Sequence, residues 1–404
     1  MRLLVSGGGT GGHVYPALAI ARAVVEEEPG TRVLYVGTAT GLEASVVPRE
    51  GYAFEAIPSR GMLGRGPLGV LGSALAALRG TRAALCLIRR FAPDVVVGTG
   101  GYVSGPVALA ARLAGIPLVV QEQNVFPGVT NRLASRWAAA VAVPHDEAAA
   151  HFPRRARLVV TGNPVRRVVL ETTPEEGRRV LGLPEGARVV YVVGGSQGAR
   201  VLNEATAAAV GDWLALPEVW VVFACGRRYY EETLESLRRR GLSPRPAGGG
   251  DGDPGGDREG DRGGDRVILL PYLDRPDAAL AAAEVVVTRG GATTLAEVAC
   301  RGVPAVIVPS PNVAHNEQEK NARVFERAGA ARVILETDLS GPVLALAVKE
   351  ILASPDLRER MHRASLGLGR PGAAGELARL VVEVAGRRTR RGRGRSRGPD
   401  RRPG

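Results

Sequence analysis

Short runs rich in Val, Leu and Ala recur along the chain, alternating with segments whose apolar residues fall at helical spacing. The first half predicts strands at 2–6, 32–36, 53–57, 94–97, 117–121, 139–143 and 157–161. The pattern restarts at Arg188, with strands at 188–193, 219–224, 267–270, 285–288 and 305–308. Continuous apolar strands separated by helices mark a parallel sheet covered on both faces. Each half therefore reads as a doubly wound α/β domain that binds ligands at the carboxyl ends of its strands. The Thr161-Gly-Asn-Pro-Val-Arg166 turn separates a domain at 1–163 from one at 164–370. A last helix over 371–386 carries an apolar stripe of Leu377, Leu380, Val381 and Val384.

Two stretches depart from this pattern. Between 243 and 266 the composition turns to Gly, Asp, Arg and Pro, with no large apolar residue after Ala247, which predicts a disordered insertion. The segment 387–404 is mostly Arg, Gly and Pro and predicts a disordered basic tail. It holds nine Arg and one Asp, a net +8 of the chain's +12, so the rest is only mildly basic. That charge suits anionic lipid, RNA or plain solvation and does not choose among them. The folded part lacks aromatic interleaving and any nucleic-acid module, so no specific nucleic-acid partner is expected.

Composition narrows the class further. A chain of 404 residues with 45% hydrophobic content can fill two cores, and 4% aromatics means that Val, Leu, Ala and Ile fill them. Cys86, Cys225 and Cys300 are odd in number, far apart and in no metal-ligand spacing, which fits a reducing compartment and small core residues. The chain opens directly on a strand-like run, so no signal peptide is expected. No apolar run reaches bilayer length, so any membrane association is peripheral.

The candidate chemistry lies in the turns. Ser6-Gly-Gly-Gly-Thr-Gly-Gly-His-Val-Tyr-Pro16 joins a strand to a helix. Its glycines allow close backbone approach, and the helix N-terminus favours an anion such as a diphosphate. Ordinary turn glycines would look the same. His13, in the first helical turn, is a candidate general base beside that anion, with a structural histidine as the alternative. Gly98–Pro106 and Gly194–Arg200 repeat the strand, glycine turn and helix. Thr288–Glu297 does so again, its threonines suiting a diphosphate and Glu297 the vicinal hydroxyls of a ribose. A capped helix with an early acidic residue is the plainer reading.

Gln121-Glu-Gln-Asn124 places four polar side chains where an open sheet binds ligand, and 309–321 is a polar loop entering a helix. The stretch 60–71 mixes arginines with apolar residues, as a loop into a helix or a membrane-contact patch. No group of carboxylates or histidines has metal-site spacing. Gly7-x-Gly9-x-x-Gly12 matches the dinucleotide fingerprint, but Gly37-Thr38 stands where a NAD enzyme wants an acidic residue. A dinucleotide-dependent oxidoreductase is therefore a weak rival.

Taken in order, Gly-Gly-Thr-Gly-Gly-His-Val-Tyr-Pro, Gly-Thr-Gly-Gly-Tyr-Val-Ser-Gly-Pro, Gln-Glu-Gln-Asn, Gly-Asn-Pro-Val-Arg, Gly-Gly-Ser-Gln-Gly-Ala-Arg and Gln-Glu-Lys-Asn-Ala-Arg resemble the MurG family of glycosyltransferases. The resemblance covers residues 1 to about 386. It implies a GT-B architecture, two Rossmann-like domains facing across a cleft with the C-terminal helix returning onto the first. The implied reaction is inverting transfer of N-acetylglucosamine from UDP-GlcNAc to undecaprenyl-diphospho-muramoyl-pentapeptide (lipid I), giving lipid II. The resemblance further implies no metal cofactor, peripheral association with anionic lipid at the cytoplasmic face of the cell membrane, and contacts with other cell-wall synthesis proteins. A UDP-sugar epimerase of the same fold is the alternative.

Residue by residue, the resemblance implies a donor site of Thr10, Gly11, Gly12, Asn124, Arg166, Ser196, Leu273, Ala292, Thr293, Thr294, Leu295, Ala296, Glu297 and Gln318. Leu273 would hold the uracil, Glu297 the ribose, Ser196 and the turn near Ala292 the diphosphate, and Gln318 the sugar hydroxyls. Gly9, Gly100, Gly101 and Tyr102 would cradle the acceptor diphosphate. His13 is the candidate base, with Glu122 as the other candidate. Glu317 departs from the family pattern, which leads one to expect His or Gln there.

Overall fold

The computed structural model describes residues 1–61, 67–195, 197–245 and 266–395. They form two compact units, one of Met1–Pro164 with the segment from Pro371 onward, the other of Val165–Arg370. The first unit holds β1 (Arg2–Gly7), β2 (Arg32–Gly37), β3 (Ala53–Ala56), β4 (Val95–Gly100), β5 (Leu118–Gln121), β6 (Ala140–Val143) and β7 (Leu158–Val160). They pair in parallel in the order β3-β2-β1-β4-β5-β6-β7. The inner strands are mostly apolar because both faces are covered, whereas the edge strand β3 is only partly buried and carries Glu55. Leu3, Val5, Val95 and Val97 enter a core closed by helices Gly11–Glu27 and Ala373–Arg395. Leu4 and Val96 enter a second core closed by helices Pro67–Phe91 and Ser104–Leu113.

The second unit repeats the plan with β8 (Arg188–Val193), β9 (Val219–Ala224), β10 (Val267–Leu270), β11 (Ala283–Thr288), β12 (Ala305–Ile307) and β13 (Ala331–Val333). Their order is β10-β9-β8-β11-β12-β13, again parallel. Each sheet grows outward in both directions from a central pair, β1 with β4 and β8 with β11. Connections leave such a pair toward opposite faces, so a crevice opens at the carboxyl ends of those two strands. The glycine turns flank these two places.

The structure corrects several expectations. β13 has no sequence signal of its own, being three residues long with Arg332 exposed in the middle. β4 runs on through Gly98, Thr99 and Gly100, so the second glycine turn is reduced to the residues after it. Its pairing with β1 jumps from Ser6 opposite Gly98 to Gly7 opposite Gly100, which leaves Thr99 as an extra, bulged residue. The last helix continues to Arg395 where a disordered tail was expected from Arg387. Arg is a good helix former, and the Glu383–Arg387 pair spans one turn at 2.5 Å, so the helix has no reason to stop at Gly386. Cys225 is buried, which pushes its thiol up to about 11, but Cys86 is exposed and is no core residue. Most of the 243–266 insertion (246–265), the tail from 396, and 62–66 of the arginine-rich apolar stretch lie outside the described residues. No helix among the described residues is long and apolar enough to cross a membrane.

Candidate active site

In the first unit the two glycine turns press on each other. A Cβ at Gly101 would lie 2.2 Å from the Gly8 carbonyl oxygen, and one at Gly100 would lie 3.0 Å from the His13 ring. Both residues also have positive φ, +78° and +106°, so only glycine fits. Tyr102 lies against Gly9, 3.0 Å from where a Cβ would sit. The Gly11–Glu27 helix starts at Thr10 with no side-chain cap and no acidic residue in its first turn. The positive end of its dipole, with the amides of Gly11 and Gly12, is left for an external anion. Gly9 differs, because its N–H is already donated to the Glu43 carboxylate at 3.2 Å. It contributes space to the cradle and no donor.

His13 stands at the seam between these turns. Its Nδ1 lies 3.1 Å from the carbonyl oxygen of the bulged Thr99 and 3.1 Å from Gln123 Oε1. The Thr99 hydroxyl in turn donates to the His13 carbonyl at 2.8 Å. Glu122, the other candidate base, is fully buried and spent on its own loop. Its Oε1 accepts from the N–H groups of Gln123 and Asn124, both at 2.9 Å, and from Asn124 Nδ2 at 3.3 Å. Its Oε2 accepts from Gly128 N–H at 3.1 Å and Asn131 Nδ2 at 2.9 Å. Five donors leave this carboxylate no role as a proton acceptor for substrate, and through it they fix Asn124. Glu43 acts alike on the first turn, also accepting from the Thr38 amide at 3.0 Å and hydroxyl at 2.7 Å.

In the second unit the Ala292–Arg301 helix begins after Gly291, again without a side-chain cap or an acidic first turn. Ala292, Thr293 and Thr294 form its half-buried first turn, Leu295 is buried in the core and Ala296 stays half-buried. Glu297 meets Arg166 in a bidentate pair, Nε to Oε1 at 2.7 Å and Nη2 to Oε2 at 3.1 Å. Burial alone would lower the Arg166 pKa, but the Glu297 hydrogen bond and charge hold it above its ordinary value. Burial, and then Glu297, push the neighbouring Tyr191 hydroxyl upward.

Gln318 is brought to the same turn, since a Cβ at Gly290 would lie 2.2 Å from the Gln318 carbonyl. Its Oε1 accepts from Ser310 N–H at 2.9 Å, which leaves the amide NH2 to donate. Leu273 is half-buried after the edge strand β10, and Ser196 lies outside the described residues. Glu317, the departure from His or Gln, opens the Glu317–Arg327 helix, where a carboxylate suits the positive end of the dipole.

Of the residues that hold these turns, Thr99, Gln123 and Arg289 lie inside the motifs without a role assigned from sequence, and Glu43 lies in none of them. Arg289 forms a half-buried pair with Glu336 at 2.5 Å and donates to the Val308 carbonyl at 3.1 Å, bracing the Thr288–Gly291 turn. Thr99, Gln123, Glu43 and Arg289 all work through partners distant in sequence. Among the described residues no group of three or more His, Cys, Asp or Glu side chains could hold a metal ion.

Two parallel sheets with glycine turns at their central strands, and an uncapped helix beside a carboxylate in the second, fit a nucleotide-sugar enzyme of the GT-B fold. The glycosyltransferase family 28 N-terminal domain matches residues 3–143, and the family 28 C-terminal domain matches residues 189–377. The chain is 48% identical to a UDP-N-acetylglucosamine--N-acetylmuramyl-(pentapeptide) pyrophosphoryl-undecaprenol N-acetylglucosamine transferase of Symbiobacterium thermophilum, over 97% of this chain and 100% of the relative. A relative of the same name from Desulforudis audaxviator is 43% identical over 96% of this chain and 100% of its own length. The crystal structure of Acinetobacter baumannii MurG superposes with a TM-score of 0.71 at 27% identity, covering 95% of this chain and 99% of that one. The chain belongs to glycosyltransferase family 28 and, within it, to the MurG group.

Proposed function

We propose that the chain transfers N-acetylglucosamine from UDP-GlcNAc to the C4 hydroxyl of the muramoyl sugar of lipid I, giving lipid II. The observation that carries the chemistry is His13, held by Nδ1 at the seam of two glycine turns, with no partner for Nε2 among the described residues. Nε2 takes the proton of the acceptor hydroxyl as its oxygen attacks C1 of the donor sugar from the face opposite UDP. The C1–O bond breaks, its electron pair leaves on the β-phosphate, and C1 inverts. The helix N-terminus after Gly291, with Thr293 and Thr294, stabilises the departing diphosphate, so the reading assigns no metal to the reaction.

In this reading Gly100, Gly101 and Tyr102, with the space at Gly9, receive the acceptor diphosphate. Glu297 takes the ribose, Leu273 the uracil, and Arg166 and Ser196 the donor phosphates. Gln318 meets the sugar hydroxyls, and Thr10, Gly11, Gly12 and Asn124 complete the donor set. The chain works as a peripheral protein on the cytoplasmic face of the membrane, among other cell-wall enzymes. Leu75 and Leu78 on the Pro67–Phe91 helix and Leu109 and Leu113 on its neighbour are exposed, 67% for Leu78 and 63% for Leu113. Arg79, Arg82 and Arg112 are exposed on the same two helices, a combination suited to anionic lipid.

The test is transfer of labelled GlcNAc from UDP-GlcNAc to a lipid I analogue, with EDTA present and with a control lacking acceptor. Acceptor-dependent product that survives EDTA is the expected result. Conversion of UDP-GlcNAc without acceptor, and no transfer to a competent one, would establish the epimerase reading instead.

A further inference from the structure

Three polar residues of the sequence motifs touch no substrate in that reading: Gln121, Gln123 and Asn163. They are 0%, 3% and 7% exposed, so any unpaired amide atom among them would be costly. Their side chains form one directed relay. Asn163 Nδ2 donates to the Gln123 carbonyl at 2.8 Å, and Asn163 Oδ1 accepts from Gln121 Nε2 at 3.0 Å. Gln121 Nε2 also donates to the Glu122 carbonyl at 3.1 Å, and Gln121 Oε1 accepts from Gln123 Nε2 at 2.5 Å. Gln123 Nε2 further donates to the carbonyls of Thr99 at 2.8 Å and Gln121 at 3.3 Å. Each amide nitrogen is thus fixed by at least one main-chain carbonyl, which can only accept. The free end of the relay is Gln123 Oε1, 3.1 Å from His13 Nδ1.

The two atoms facing Nδ1, Gln123 Oε1 and the Thr99 carbonyl, are both acceptors. We infer that the Asn163–Gln121–Gln123 relay fixes neutral His13 as the tautomer protonated on Nδ1, which keeps the Nε2 lone pair open to a substrate hydroxyl. A turned-over Gln123 amide would set its oxygen against the Thr99 carbonyl, the Gln121 carbonyl and Gln121 Oε1. It would also aim an NH2 group at Nδ1, which drives the proton to Nε2 and closes the base. Gln121 does not touch His13 and acts on it only through Gln123, so it is a positioning residue. The catalytic meaning rests on His13 being the base; the tautomer itself does not.

The experiment is nitrogen NMR of the full chain carrying 15N-histidine, with the His13 signals identified by their loss in His13→Ala. The expected wild-type spectrum of the neutral ring shows a protonated Nδ1 and a bare Nε2. In Gln121→Met the His13 signals move toward the Nε2-protonated form. The kcat of that variant falls about ten-fold, part of the 10²–10⁴ typical of a general base, at an unchanged KM for UDP-GlcNAc. A wild-type proton on Nε2 overturns the inference and needs no variant to fold. A Gln121→Met spectrum identical to wild type also overturns the relay, leaving as determinants the Thr99 carbonyl and a Gln123 amide held by the main-chain carbonyls of Thr99 and Gln121 alone. A tautomer that shifts as expected while His13→Ala keeps full turnover supports the relay and removes His13 as base.

Discussion

The two units place glycine turns at the same point of the same kind of sheet, yet hold them by different means. In the first unit, neutral donors, bulged backbone and glycine-on-backbone contact fix the site, and even its buried carboxylates, Glu43 and Glu122, are satisfied by N–H and hydroxyl groups. In the second unit ion pairs predominate: Arg166 with Glu297, Arg289 with Glu336, Arg275 with Asp277. Neutral networks hold a geometry without strong fields, which suits a site that must orient one proton acceptor. Paired charges can be traded, so a ligand bearing hydroxyls and phosphates can exchange partners with Arg166 and Glu297 and leave neither charge bare.

The largest effect that would break this contrast is at His13. His13→Ala is expected to lower kcat by about 10²–10⁴ and leave the KM for UDP-GlcNAc within about two-fold, read by steady-state transfer kinetics. A large rise in that KM would move His13 into donor binding.

Next comes the backbone contact. Gly101→Ala meets the Gly8 carbonyl at 2.2 Å and a φ of +78°, whereas Gly195→Ala, at φ +87°, meets nothing within 4 Å. Backbone strain costs about 1–3 kcal/mol at either position, and only Gly101 adds a clash. Thermal unfolding should therefore show a clearly larger fall in Tm for Gly101→Ala, and equal falls would deny the close contact of the two turns.

Glu297→Gln sharpens the other side. It removes a charge-assisted pair of about 1.5–3 kcal/mol, so the KM for UDP-GlcNAc should rise roughly ten- to a hundred-fold while kcat changes little. A fall in kcat alone would place Glu297 in the chemical step.

The smallest effect is a dependence on pH. Burial pushes the Asp277 carboxyl up, but hydrogen bonds from Arg275 and Thr172 outweigh it and hold the pKa below the usual carboxylate range. A depressed folded pKa gives stability that is complete above the unfolded value of about 4 and is lost as pH falls through the folded one. With Arg275 well exposed, the contribution is about 1 kcal/mol or less. Asp277→Asn should lower Tm slightly at neutral pH and flatten its decline below pH ~4. An unchanged acid limb would show that other groups control it.

Much of this molecule was legible in the chain itself. Strands covered on both faces carry runs of apolar residues, so twelve of the thirteen announced themselves, even the part-buried edge strand Ala53–Ala56, and only Ala331–Val333, short and carrying an exposed Arg332, did not. The glycine turns were legible for a similarly local reason, since positive φ and close backbone approach exclude other residues. Long-range pairing decided the rest. Nothing near His13 in the chain indicates that Thr99 and Gln123, 86 and 110 residues away, fill both acceptor positions at Nδ1. Arg166 and Glu297 are 131 residues apart. The sequence offered Glu122 as a base and Gly9 as part of the diphosphate cradle, and the fold spent the Glu122 carboxylate on a loop and the Gly9 N–H on Glu43. Residue types and local periodicity determine which groups are present and which backbone shapes are allowed. Which donor is free, which lone pair is open and which charge is already paired are decided only when distant segments meet, because a hydrogen-bonding group is defined by its partner.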